Sequence, residues 1–257
     1  MNDILLSFIL GLVQGLTEFL PISSSAHLLF PTLIFGSNDL GLYFDISVHA
    51  GTLIAVVYYF RNEIFLMSKS LLETNNFNED KNLAIQLIIA TIPIVIIGFI
   101  FRDLISQRIF SINDIAISNL IFASILLFAF LNNKGKKTLI NITILGACFI
   151  GLFQCFALIP GASRSGAAIT AGLLIGLSLK DASKFAFLLA IPTILGALTL
   201  LIFDLNNGNV SFDLFNISIG FFTSMIFAFF TIKLFLKLVE KIGTVSYTHL
   251  RAHETVS

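Results

Sequence analysis

Apolar residues occupy the chain in blocks separated by short polar connections, at about 4–16, 26–36, 46–60, 83–101, 115–131, 138–160, 166–178, 184–203 and 212–239. A helix that crosses a bilayer needs about 20 apolar residues. The runs at 83, 115, 184 and 212 are long enough, as is the run at 46 if its helix begins near Leu40. The remaining runs come in pairs around a polar break. Residues 4–36 are interrupted by Glu18-Phe19-Leu20-Pro21-Ile22-Ser23-Ser24-Ser25, and residues 138–178 by Pro160-Gly161-Ala162-Ser163-Arg164-Ser165-Gly166. Irregular backbone survives at membrane depth only when buried in protein or facing water, so each pair is predicted to be a re-entrant helix hairpin, and both to line one cavity.

Composition agrees with this pattern. Of 257 residues, 56% are hydrophobic and 12% charged, and mean hydropathy is +0.95, against about 25% charged in soluble domains. Fifteen basic residues balance fifteen acidic ones, which leaves no basic field for nucleic acid and too little charge for a large solvated domain. Met1-Asn2-Asp3 lacks a basic leader, so the first apolar stretch is expected to stay. Cys148 and Cys155, seven apart on a helix, stand about 10 Å from each other, too far for a disulfide. With no Trp, any aromatic belt must come from Phe and Tyr.

An offset of about 140 residues aligns the two broken segments: Gln14 with Gln154, Pro21 with Pro160 after one deletion, and Ser23-Ser24-Ser25 with Ser163-Arg164-Ser165. Phe44 then meets Phe185, and Gly51-Thr52-Leu53 meets Pro192-Thr193-Ile194. The expected fold is all-α and polytopic, one membrane domain over 1–243 with repeat one about 1–131 and repeat two about 138–243. Each unit is a re-entrant hairpin plus three transmembrane helices. An odd number of crossings makes the second copy inverted. If the hairpins return to their starting side, one face carries Arg61, Lys69, Lys81, Lys134, Lys136, Lys137, Lys180, Lys184, Lys237 and Lys241, and the other carries Arg102 and Arg108. The lysine-rich face is then cytoplasmic and the N-terminus outside.

Charges inside the breaks carry the candidate chemistry. Ionisable groups at membrane depth cost about 2.5–3.5 kcal/mol to insert and mark sites or pathways. Glu18 and Arg164 are two such groups, with His27 close by; they read either as a structural ion pair or as a site. Gln14 and Glu18, four apart, share a helix face. Ser24 and His27 share another, an arrangement suited to a nucleophile with a base; the alternative is that Ser23 to Ser25 cap a helix and His27 packs. The segment Gly161-Ala162-Ser163-Arg164-Ser165-Gly166 opens a half-helix whose free N–H groups favour an anion, with Arg164 to grip it. It lacks the lysine and spacing of a Walker loop. Asp45, His49 and Gln154 are left unassigned.

These two segments, Gly15 to His27 and Pro160 to Gly166, resemble the bacterial undecaprenyl-pyrophosphate phosphatases of the BacA/UppP type, over residues 1 to about 243. The resemblance implies hydrolysis of undecaprenyl diphosphate to the monophosphate and phosphate, recycling the lipid carrier of peptidoglycan synthesis and conferring bacitracin tolerance. It implies a multi-pass protein of the bacterial inner membrane with its site facing the periplasm. By motif, it makes Glu18, Ser24, His27 and Arg164 catalytic. Gln14, Ser23, Ser25, Ser163, Ser165 and Gly166 are expected to bind the diphosphate. Glu18 is also the expected ligand of a divalent cation, Mg²⁺ or Ca²⁺. Expected partners are the isoprenyl diphosphate, the bilayer and a second copy in a homodimer, with no nucleic acid.

Val245 to Ser257 is hydrophilic where the resemblance leads to a last apolar helix, so residues 244–257 are expected to be a tail without a fold. The competing function is a transporter or flippase for phosphorylated isoprenyl lipid, since broken helices in inverted repeats also build carriers.

Overall fold

The computed structural model of the protein describes residues 3–73, 78–102, 111–133, 135, 137–205 and 213–254. Ten α-helices account for most of them: α1 (Asp3–Thr17), α2 (Ser24–Phe35), α3 (Gly41–Tyr59), α4 (Arg61–Leu72), α5 (Glu79–Ile100), α6 (Ile112–Asn132), α7 (Ile144–Gln154), α8 (Arg164–Leu174), α9 (Leu179–Leu205) and α10 (Leu214–Glu254). Four have the length and apolarity to cross a membrane: Glu79–Ile100, Ile112–Asn132, Leu179–Thr199 and Leu214–Ile242; the pair α3 and α4, bent by 76° at Phe60, offers a fifth. The protein is therefore an all-helical, polytopic membrane protein.

Two stretches break as the polar segments predict. α1 stops at Thr17 and the chain restarts as α2, whose N-cap Ser23 accepts a hydrogen bond from the Ala26 N–H at 3.4 Å. α7 runs into a short 3₁₀ turn, Cys155–Leu158, and α8 opens on its N-cap Ser163, which accepts from the Gly166 N–H at 3.1 Å. Between them Gly161 takes φ +95°, and a side chain there would also meet the Ile115 carbonyl of α6. The two breaks share a detail: Ser23 pairs with Ser25 at 3.1 Å, and Ser163 with Ser165 at 3.0 Å.

α8 is the centre of the molecule, with every residue from Ser165 to Leu173 buried between α6, α7 and α9. α9 is buried from Phe185 through Ala190. The outer helices carry apolar stripes instead: Ile88, Ile92, Ile96 and Phe99 on α5, and Ile117, Leu120, Ile121, Leu127 and Phe128 on α6, all exposed. In a bilayer these stripes meet lipid at no solvation cost. α1, α3 and α10 pack closely along small residues: Gly11 and Gly15 face Gly220 and Ser224, and Gly51 faces Ser224 and Phe221. Such seams let backbones approach where no hydrophobic effect drives helix association.

α10 does not stop at residue 243. Its backbone stays helical to Glu254, where the sequence reading expects a tail without a fold. The segment 244–254 contains neither Pro nor Gly, so nothing in it interrupts a helix that is already nucleated.

Candidate active site

Both breaks end against each other, and a hydroxyl staple holds them. Ser165 Oγ, fully buried, donates to the Leu20 carbonyl at 2.7 Å, and Ser163 Oγ reaches the same oxygen at 3.4 Å. This contact joins residues 145 positions apart and fixes the start of α8 beside the end of α1.

At that junction Glu18 gathers its partners. Its Oε1 accepts from Arg164 Nη2 at 2.8 Å, an ion pair with side chains 6% and 12% exposed. Its Oε2 accepts from Ser24 Oγ at 2.8 Å and from Gln14 Nε2 at 3.0 Å. Arg164 also donates through Nη1 to the Ala186 carbonyl of α9 at 3.3 Å, so its guanidinium ties the first break to α9. A buried carboxylate needs such satisfaction, since a lone charge there is expensive. The i,i+4 spacing of Gln14 and Glu18 appears as the hydrogen bond it suggests.

Ser24 and His27 are not joined. Ser24 gives its hydroxyl hydrogen to Glu18, while His27 Nδ1 binds the Ser23 carbonyl at 2.6 Å and its ring leans on Phe30, centroids 5.2 Å apart. The fold-back of the break brings Glu18 to a serine six residues on, which periodicity within one helix does not reveal. Ser23 and Ser163 are both N-caps, and Ser25 and Ser165 are their hydroxyl partners; the capping alternative thus applies to Ser23. Gly166 gives its N–H to the Ser163 cap and carries the helix past Pro21, where a Cβ would come within 3.5 Å of the proline Cα.

The structure adds one residue to the cluster that spacing in the sequence does not single out. His49, on α3, brings Nε2 to 3.9 Å from Glu18 Oε2, and its side chain is 29% exposed. The available signal was an ionisable residue inside Ile46-Ser47-Val48-His49-Ala50-Gly51, an otherwise small and apolar run. Gln154 stays away from this cluster, accepting from Thr193 Oγ1 at 3.4 Å. A small cavity lies on the other side of the serines, between the breaks and α6, lined by Pro21, Ser23, Gly161, Ser163, Asn119 and Phe122 among others.

A carboxylate, a hydroxyl bonded to it and a guanidinium at the starts of two helices form an arrangement that can hold an anion and take a proton from an O–H group. Comparison with known sequences gives the same direction. The family model of the bacitracin resistance protein BacA matches residues 7–253. The chain is 42% identical over 248 residues to the undecaprenyl-diphosphatase of Alcanivorax borkumensis, covering 95% of this chain and 94% of that protein. It is also 42% identical over 247 residues to the undecaprenyl-diphosphatase of Alteromonas mediterranea, covering 95% and 92%. With the match spanning both breaks and every helix between them, the chain belongs to the BacA family.

Proposed function

We infer that this chain is an undecaprenyl-diphosphatase of the bacterial cytoplasmic membrane, hydrolysing undecaprenyl diphosphate to undecaprenyl phosphate and inorganic phosphate and so returning the lipid carrier to cell-wall synthesis. The observation that carries this reading is the junction of Glu18, Ser24 and Arg164 at the meeting point of the two breaks, in a chain whose relatives bear that name.

Phosphoryl transfer asks mainly for positioning and for neutralisation of charge on the phosphate oxygens. Arg164 spends two of its five N–H donors on Glu18 and Ala186, leaving the rest of the fork for a terminal phosphate. The helices that begin at Ser24 and Arg164 present N-terminal dipoles to the same anion. Ser24 either attacks phosphorus or binds a phosphate oxygen while water attacks. In both routes Glu18 Oε2, already hydrogen-bonded to Ser24 Oγ, is the group placed to take the proton. His27, close to the cluster through Ser23, is the proposed second proton carrier, delivering to the leaving phosphate.

A divalent cation, Mg²⁺ or Ca²⁺, fits the donors present. Among the described residues no three His, Cys, Asp or Glu side chains gather, but Mg²⁺ commonly uses one or two carboxylates plus substrate phosphates. Glu18 would be that carboxylate, and Gln14 Oε1, buried without a hydrogen-bond partner, the neutral oxygen beside it. When bound, the ion would neutralise diphosphate charge and polarise the P–O bond under attack.

The lysine-rich face supports an orientation with the site open to the periplasm. Lys184 pairs with Glu63 at 3.1 Å and Lys180 with Glu240 at 2.6 Å, which gathers three of the assigned cytoplasmic segments at one end, in keeping with the positive-inside rule.

Phosphate release from a C15 or C55 diphosphate, measured on purified protein in detergent with Mg²⁺ or EDTA, tests the reading. Wild-type release that disappears in Glu18→Gln, Ser24→Ala and Arg164→Ala supports it. Folded protein that binds the lipid and moves it across vesicles without releasing phosphate would transfer the argument to a carrier.

A further inference from the structure

His49 stands beside Glu18, yet the chemistry above gives it no part. Its Nδ1 lies 2.7 Å from the Asp45 carbonyl oxygen. A carbonyl only accepts, so in the neutral ring Nδ1 carries the hydrogen and Nε2 is left as a bare acceptor. That Nε2 faces Glu18 Oε2 across 3.9 Å. The separation is too long for a hydrogen bond, and it sets two acceptors opposite each other with no donor between. A water whose oxygen lies about 2.8 Å from each acceptor spans such a gap with its two O–H bonds roughly at a right angle. The imidazole is partly exposed and the carboxylate is not, so the opening is on the histidine side. His27 offers no equivalent: its Nδ1 is bound to Ser23, and its ring rests on Phe30.

We propose that His49 is a positioning residue that holds the hydrolytic water against Glu18, with Nε2 accepting one O–H of the water and Glu18 Oε2 the other. The proposal rests on the phosphatase reading but not on its unresolved branch, because direct hydrolysis and hydrolysis of a phosphoserine both end with water attacking phosphorus. In the direct route the water oxygen forms the new P–O bond and its proton passes to Glu18. The bond to the bridging oxygen breaks, and the electron pair leaves on the lipid monophosphate. In the phosphoserine route the bond to Ser24 Oγ breaks instead, and Ser24 recovers the proton from Glu18. The hydroxyl of Ser24 occupies Oε2 in the free protein; once it turns to a phosphate oxygen, or carries the phosphoryl group, that acceptor position is free for the water.

The test compares wild type with His49→Ala, His49→Gln and His49→Met by steady-state phosphate release from farnesyl diphosphate, beside thermal unfolding in the same detergent. Glutamine keeps an acceptor oxygen at the end of the side chain, whereas methionine fills similar space with only a weak acceptor. Alanine and methionine are expected to lower kcat by about 10²-fold with KM within about twofold, and glutamine to recover much of the loss, at unchanged unfolding temperature. An unaltered kcat in His49→Met, a change confined to KM, or glutamine no better than methionine would overturn the proposal. If His49→Ala fails to fold, the glutamine–methionine pair decides. Wild-type protein without phosphate release removes the phosphatase reading itself and this role with it, while an active wild type with an indifferent His49→Met removes this role alone.

Discussion

Arg164 meets Glu18 with one arm of its guanidinium and the Ala186 carbonyl with the other. A lysine has a single ammonium on a flexible stem and cannot hold both partners and a phosphate in one plane. Arg164→Lys is therefore expected to lower kcat/KM for phosphate release by about 10²-fold, close to the loss for Arg164→Ala. Stability and activity should also part company at this pair. Removing Arg164 alone leaves a buried carboxylate, 7% exposed, without its cation, at a cost of about 3–5 kcal/mol. Replacing both, as Glu18→Gln with Arg164→Gln, should recover most of that stability while activity stays absent. Unfolding midpoints of the two single variants and the double variant, read beside phosphate release, check it; full activity in the stable double variant would make the pair structural. At this scale the sequence showed which residues carry charge into the membrane, Glu18 and Arg164, because their cost there singles them out. It did not show that Ser24 would be bonded to Glu18 rather than to His27. Helix periodicity speaks within one helix, and that contact forms across a break.

The site depends on how closely three helices approach. Gln14 and Glu18 reach the junction from α1, which lies on α10 through glycines: a Cβ on Gly15 would come within 2.7 Å of the Ser224 carbonyl and 2.8 Å of Phe227 Cβ. Gly15→Val should push α1 away from α10, cost about 1–3 kcal/mol and lower phosphate release by displacing Gln14 and Glu18. Gly98→Ala on α5 is the control, since its Cβ would meet nothing nearer than Leu158 at 3.7 Å. Equal melting temperatures for the two variants would count against the seam. Gly161 is a different case: with φ +95° an alanine is strained whatever the space, and the start of α8 should shift with it. The long helices were legible from runs of apolar residues, and the breaks from proline and polar residues inside such runs. The bend of 76° between α3 and α4 was not, because no Pro or Gly marks Phe60. What holds that bend is tertiary: Phe60 is 2% exposed, and Lys184 reaches Glu63 from α9.

For the whole molecule, the proposed orientation rests on ten lysines and arginines in one set of polar segments against two in the other. A segment rich in Lys or Arg resists translocation, whereas acidic residues contribute little, so the zero net charge of the chain hides a strong asymmetry. The ion pairs Lys180–Glu240 and Lys184–Glu63 tie α9 to α10 and to α4 at ends that the alternation assigns to one side, although nothing local in the sequence joins residues 60 or more positions apart. Reporter fusions check the assignment: a periplasm-dependent enzyme joined after Asn38 should be active, and one joined after Asn133 inactive. The first hairpin must return to its starting side for that result. If it crossed fully, both fusion points would change sides, leaving the reporter after Asn38 inactive and the one after Asn133 active; a third reporter after Ser178, expected inactive, checks the second hairpin in the same way. The same experiment bears on access to the site, because a first hairpin that enters from the periplasm carries Glu18 and Ser24 to membrane depth from the side where the spent lipid diphosphate must be taken up.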